Sequence, residues 1–230
     1  MTQLKLRVVC ATRKTKESFF TETALGRSLK MYPFLSRVEL RLFAENERGL
    51  STVYNQAIEE VKDFPAILIF VHDDVYITDF FWVQRVLEAL KLFNVVGAVG
   101  NKRRVPKQPG WCFLNENLQA DVGENLSGIV GHGKGFPCNK LTFFGPALQE
   151  VKLLDGLFLA APSQTLIDHN LRFDERFSFH FYDLDFCRQV ELKELKMGTC
   201  AISLVHESTG AFRTDPWRHA YQVYLEKWGE

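Results

Sequence analysis

Three short stretches concentrate the side chains that could do chemistry. The first is His72-Asp73-Asp74, two adjacent carboxylates directly after an unbroken apolar run. Neighbouring carboxylates repel, and a fold tolerates them chiefly where a cation or a hydroxyl-rich ligand offsets the repulsion. The plainer account is a helix-capping aspartate beside a solvated one, since a helical pattern follows within about six residues. The second stretch runs from Phe173-Asp174-Glu175 to Phe179-His180-Phe181-Tyr182-Asp183-Leu184-Asp185-Phe186-Cys187. Asp183 and Asp185 flank a helix start, where each complements the helix dipole by roughly 0.3 to 1 kcal/mol. A carboxylate held there among Phe179, Phe181 and Phe186 would also have the restricted solvation that suits a general base. The third is Leu204-Val205-His206-Glu207-Ser208-Thr209-Gly210, in which an apolar strand delivers a histidine just before a turn. Asp74 and His206 are thereby the leading ligand candidates for a divalent cation. Imidazole together with carboxylate and phosphate oxygens suits manganese, and a carboxylate-rich site also suits magnesium.

The elements that must position these residues read as alternating strand and helix. Leu4 to Ala11 is a strand and Lys14 to Met31 a helix; Val38 to Phe43 is a strand and Leu50 to Val61 a helix. Ala66 to Val71 is the strongest strand, continuous and apolar as a strand buried on both faces must be, and it ends at the acidic pair. Helix Phe80 to Leu92 and strand Val95 to Val99 complete a third unit. Such alternation predicts an α/β fold with a mostly parallel central sheet flanked by helices, whose ligands bind at the carboxyl ends of the strands. The expected organisation is one domain over 1–230, with a nucleotide-binding half at 1–100 and an acceptor-side half at 101–230. From Asn101 to Gly145 the pattern dissolves into Gly, Pro, Asn and basic residues, which predicts a long functional loop. Its Trp111 could stack on a sugar or lie in the core, and His132 carries the same ambiguity. Further on come strand Leu148 to Ala161, helix Ser163 to His169, helix Tyr182 to Leu195, strand Thr199 to Val205 and helix Trp217 to Trp228. The aromatic residues of that last helix read as core.

Composition narrows the partners. The 28 basic and 28 acidic residues among 230 are interspersed, which leaves no footprint for nucleic acid. The five cysteines are odd in number and form no Cys-x-x-Cys, which argues against a zinc knuckle or a disulfide framework and for a reducing, cytoplasmic setting. No apolar run approaches the ~20 residues that span a bilayer, and Met1 to Cys10 lacks the features of a secretory signal. The acceptor could still hold the protein at a membrane surface.

Taken in order, His72-Asp73-Asp74-Val75, Asp155-Gly156-Leu157-Phe158-Leu159-Ala160 and the stretch from Phe173-Asp174-Glu175 to His206-x-Ser208-x-Gly210 resemble the family-2-like glycosyltransferases with the GT-A fold, over residues 4 to 210. The resemblance implies that Asp73 binds the ribose of a nucleotide-sugar donor, that Asp74 and His206 hold the metal on its diphosphate, and that Asp183 deprotonates the acceptor. It further implies nucleotide contacts from Thr12, Glu45, Asn46 and Asn55, and sugar or acceptor contacts from Trp111, Asp155, Gly156 and Asp185. An inverting single displacement onto a glycan or lipid-linked saccharide, in polysaccharide biosynthesis, follows from the same likeness. Two departures matter. Tyr182-Asp183 stands where the family commonly has Glu-Asp, which leaves the base open between Asp183 and Asp185. The Gln-x-x-Arg-Trp motif of processive synthases is absent, so single addition is expected. The competing classes are a nucleotidyltransferase that makes nucleotide sugars, for which Cys10-Ala11-Thr12-Arg13-Lys14 lacks the glycines of a phosphate loop, and a silent sugar- or nucleotide-binding module, which would not need both Asp183 and His206.

Overall fold

In the computed structural model, which describes residues 5–32, 38–208 and 210–229, two sheets share one core. Leu4, expected to open the first strand, and Thr209 of the late-histidine stretch lie outside the described residues. In chain order the elements are β1 (Lys5–Ala11), α1 (Lys16–Glu22), α2 (Ala24–Leu29), β2 (Val38–Phe43), α3 (Leu50–Glu59), β3 (Ala66–Val71), β4 (Val75–Ile77), α4 (Trp82–Ala89), β5 (Val95–Gly97) and β6 (Val99–Asn101). A 3-10 turn (Gly123–Asn125) then leads into β7 (Leu126–His132), β8 (Lys140–Gly145), β9 (Glu150–Val151), β10 (Leu153–Leu154), β11 (Phe158–Pro162) and α5 (Ser163–Asp168). The chain continues through α6 (Tyr182–Leu192), β12 (Met197–Thr199), β13 (Leu204–His206) and α7 (Asp215–Trp228).

The central sheet has the order β2-β1-β3-β11-β5-β12-β9, and a second sheet has the order β10-β6-β7-β13-β4 with β8 paired to β7. All six residues of β3 are buried, as their unbroken apolar sequence requires of a central strand. The central sheet is mixed rather than strictly parallel. β1, β2, β3, β5 and β12 share one direction, while β11 runs antiparallel to both β3 and β5, and β9 antiparallel to β12. This reversal positions the site. Val71, the last residue of β3, pairs with Phe158, the first of β11, so the chain entering β11 lies beside the chain leaving β3.

Several expected elements divide. The helix expected over Lys14 to Met31 is two helices, because Thr23 leaves the helical region (φ −90°, ψ 152°), ends α1, and caps α2 by accepting from the Gly26 amide. The strand expected over Leu148 to Ala161 is three, placed in two sheets, and Thr199 to Val205 likewise holds parts of β12 and β13. The stretch 101–145 is not one long loop: the hairpin of β7 and β8 occupies its second half. Glycines erased the apolar signal there, because the backbones pack too closely for side chains. A Cβ on Gly128 would stand 2.2 Å from the Ala98 carbonyl oxygen, and one on Gly131 would stand 2.9 Å from Val205 Cγ2.

Beneath the carboxyl end of β3 lies a cluster of buried rings. Tyr54 packs on Phe70 and Phe173, and Phe173 stacks on Phe186 with ring centres 4.5 Å apart. Tyr182 closes the cluster from the first turn of α6. No helix among the described residues is long and apolar enough to cross a membrane.

Candidate active site

At the end of β3 the chain turns sharply, the Val75 amide donating to the His72 carbonyl at 3.3 Å. β13 pairs antiparallel with β4 so that His206 stands opposite Val75, which brings its ring to the same turn. The ligand atoms that His72, Asp74 and His206 can offer lie within 4.8 Å of one another, and His206 Nε2 is 3.3 Å from Asp74 Oδ2. Asp74 Oδ1 is buried with no hydrogen-bond partner, an unusual state for a carboxylate oxygen. An orphaned carboxylate oxygen facing two imidazoles is a donor set that fits a divalent first-row cation.

The protonation states of Asp74 and His72 suit the same use, whereas His206 would give up a proton on binding a cation. Burial alone would raise Asp74, but the hydrogen bond from His206 and the nearby imidazoles pull it below the ordinary aspartate value. Burial opposes the charge on His206, yet Asp74 outweighs it and lifts the ring above the usual histidine value. His72, partly buried in the cleft wall, is held below the usual histidine value chiefly by burial, which favours its neutral, ligating form. Its ring is also oriented. The Tyr182 hydroxyl donates to the Gly156 carbonyl at 2.8 Å and lies 2.7 Å from His72 Nε2. If the Tyr182 proton goes to Gly156, that oxygen accepts from Nε2–H, the tautomer that keeps Nδ1 as the free lone pair of the ring. His72 was not singled out as a ligand from sequence; its only signal was adjacency to the acidic pair.

Across the same cleft, of about 190 Å³, stands Asp183 in the first turn of α6. Its two oxygens accept from the Gly156 and Leu184 amides, each at 2.9 Å. Burial, and then the charge of Asp155, push its carboxyl up to about 7. Asp155 is held by the Trp111 indole N–H at 2.6 Å and by the Leu157 amide at 2.9 Å, so Trp111 is a buried wall of the cleft that fixes a carboxylate. Gly156 is there for room: a Cβ would fall 2.2 Å from the Tyr182 hydroxyl. Asp185, expected on the acceptor side and as the alternative base, faces elsewhere. Two residues along a helix is about 200° of rotation, and Asp185 is wholly buried against α7, bonded to Gln189, Trp228 Nε1 and Lys227.

A second cavity, of about 510 Å³, opens on the other side of Phe179, whose ring borders both and stacks on His72. Thr12 and Asp73 meet there, the hydroxyl donating to the carboxylate at 2.6 Å. Arg13, Lys14 and Arg48 bring positive charge to its wall against the carboxylates of Glu47 and Asp73, with Lys14 also paired to Glu22, a small positive excess that suits an anionic ligand. Asn46 also lines it, although its amide group is engaged with the backbone of Arg48. Two expected nucleotide contacts lie outside both cavities. Glu45 is an exposed turn residue with φ 50°. Asn55 bonds both ends of its amide to the Phe173 backbone, at 2.8 and 2.9 Å, and so fastens α3 to the segment before α6. His132 pairs in register with His206 but lies outside the cation trio.

Comparison with known proteins bears on the family and the fold. A family model described as a glycosyltransferase-like family matches residues 39–227. No curated protein sequence matches the chain. Among solved structures, GalNAc-T7 with UDP, GalNAc and Mn2+ superposes with a TM-score of 0.53 at 12% identity, over 98% of this chain and 48% of its own. TarS of S. aureus, residues 1–349, aligns at 13% identity with a TM-score of 0.47, over 89% of this chain and 60% of its own. The chain thus spans only about half to three fifths of these neighbours' length.

Proposed function

Because the chain belongs to the glycosyltransferase-like family and has the GT-A fold, we propose that it transfers a sugar from a nucleoside-diphosphate donor to an acceptor hydroxyl, by a metal-dependent, inverting, single-addition reaction. One observation carries the reading: a carboxyl poised at about 7, Asp183, shares a cleft with a cation trio of two imidazoles and one carboxylate.

The residues divide the work. Arg13, Lys14 and Arg48 receive the anionic donor, and Asp73, steadied by Thr12, offers a carboxylate to its ribose hydroxyls. His72, Asp74 and His206 would hold the cation, manganese before magnesium given two imidazoles. Such an ion supplies Lewis-acid compensation of charge on the departing diphosphate. Asp183 takes the proton from the acceptor hydroxyl as that oxygen bonds to the anomeric carbon from the face opposite the leaving group, and the carbon–oxygen bond to the nucleoside diphosphate breaks. The Gly156 and Leu184 amides hold the carboxylate in place for this, and positioned base catalysis is worth ~10² to 10⁴-fold. The five cysteines are free thiols, which supports a reducing, cytoplasmic setting as part of the same proposal.

Calorimetry with UDP, GDP and TDP, with and without manganese, tests the reading. Manganese-dependent binding of one diphosphate, lost in Asp74→Ala, is the expected result and names the donor's base. Failure of every diphosphate to bind in either condition would refute it.

A further inference from the structure

The hairpin of β7 and β8 has a charge pattern unlike the rest of the chain. Acids and bases balance at 28 each over the whole sequence, yet from Asn125 to Gln149 there is no aspartate or glutamate. Lys134 and Lys140, both exposed, are the basic residues of that stretch apart from His132. Where another element reaches the turn, its acid is already matched. A Cβ on Gly135 would lie 4.0 Å from a Glu207 carboxylate oxygen, and Glu207 is bonded by Arg27. The hairpin therefore presents positive charge with no carboxylate of its own to offset it.

Its apolar side chains are as unevenly placed. β8 has one residue more than β7 between Phe143 and Gly145, and the extra residue, Phe144, packs edge to face on Trp111 at 4.9 Å. Leu141 and Phe143, two apart in the regular part of β8, share one face of the strand, and half-buried Ile129 stands directly across from Phe143. Leu141 and Phe143 are 61% and 68% exposed, and Phe136 in the turn is 69% exposed beside an exposed Pro137. Three large apolar side chains left in water on one hairpin mark an interaction surface rather than scattered exceptions.

The charges decide what covers it. A second copy of the chain fits poorly, since a two-fold contact would set lysines against lysines with no carboxylate on the surface to pair them. Exposed rings flanked by lysines match the boundary of an anionic bilayer, where rings enter the headgroup layer and ammonium groups meet lipid phosphates. Because β7 runs parallel to β13 and His132 pairs with His206, the turn at 133–139 leaves the sheet at the end where the cation trio stands.

We propose that this hairpin is a membrane-docking element: Phe136, Leu141 and Phe143 enter the headgroup layer of an anionic bilayer while Lys134 and Lys140 engage its phosphates. The surface does not depend on the chemistry proposed above, and docking brings the end of the sheet that carries His206 to the membrane.

Co-sedimentation of the full chain with vesicles tests this, using phosphatidylglycerol and phosphatidylcholine in equal parts against phosphatidylcholine alone. The native chain partitions onto the anionic vesicles and about tenfold or more weakly onto the neutral ones. Lys134→Gln with Lys140→Gln lowers partitioning about 25-fold, as two lysines at roughly fivefold each imply. Phe136→Ser with Phe143→Ser lowers it about tenfold or more. Phe143→Trp, at an exposed position and in an otherwise native chain, gives a readout that does not rely on a loss: the added indole is quenched by brominated phosphatidylglycerol. No binding to anionic vesicles, equal partitioning on both kinds, no loss in either double variant, or an added indole left unquenched overturns the proposal. So does a dimer in sedimentation velocity that Phe143→Ser abolishes, which would assign the face to a second copy.

Discussion

The hydroxyl of Tyr182 stands 2.7 Å from Nε2 of His72, and the next residue in the chain is Asp183. One phenol therefore ties the cation trio to the helix that supplies the base. Tyr182→Phe keeps the ring in its aromatic cluster and removes the oxygen that accepts from Nε2–H. Affinity for manganese should fall about 10- to 100-fold, as for other lost supports of a ligating histidine. Isothermal titration with manganese and with cobalt checks this, and an affinity unchanged within error would show that His72 needs no such support.

Asp183 must be ionised to accept a proton, and its carboxyl sits at about 7 because of burial and then Asp155. Below that pH the protonated acid is the major form, so kcat should climb tenfold per pH unit on the acid side and level off above about 7. Asp183→Asn should lower kcat by about 10² to 10⁴-fold and abolish the acid limb. A pH–rate profile for both proteins decides the matter; an acid limb that survives in the variant would move the base elsewhere.

Gly156→Ala tests the same junction by sterics. The added methyl would lie 2.2 Å from the Tyr182 hydroxyl and 3.0 Å from Asp183 Cβ, against α6 rather than against a flexible side-chain end. Overpacking of this kind costs about 1 to 3 kcal/mol. Urea unfolding should register that loss, and the variant should lose manganese affinity and kcat together, since both supports are displaced at once.

Lys227 gives Asp185, wholly buried, its counter-charge at 2.6 Å, and also bonds Asp174 at 2.7 Å. Burial nevertheless leaves Asp185 above the ordinary aspartate value, with Lys227 the chief opposing influence. Lys227→Met leaves a buried carboxylate uncompensated and should cost about 3 to 5 kcal/mol. The pair Lys227→Met with Asp185→Asn should recover most of it, which denaturant curves of the single and double variants would reveal.

What sequence made legible follows from how many neighbours each residue needs to be understood. β3 is readable because a strand buried on both faces must be apolar throughout, and α7 because Tyr221, Tyr224 and Trp228 recur near helical spacing. Asp74 and His206 are readable as ends of apolar strands. The hairpin of β7 and β8 is not, since glycines chosen for close backbone approach carry no hydrophobic period. Asp183 and Asp185 are indistinguishable by type and separate only when α7 covers one side of α6. Asn55 offers an amide suited to a ligand but spends it on the Phe173 backbone.

The ion pair between Lys227 and Asp185 also sets an order of events during synthesis. Strands β1 to β3 pair with one another, but β3 also takes β11 on its far side and Asn55 of α3 is bonded to the Phe173 backbone, so this half closes only when those later residues are in place. α6 cannot settle with them: until Lys227 and Trp228 have emerged, Asp185 has neither its cation nor its indole donor. The helix that carries Asp183 is thus fixed only once α7 lies against it.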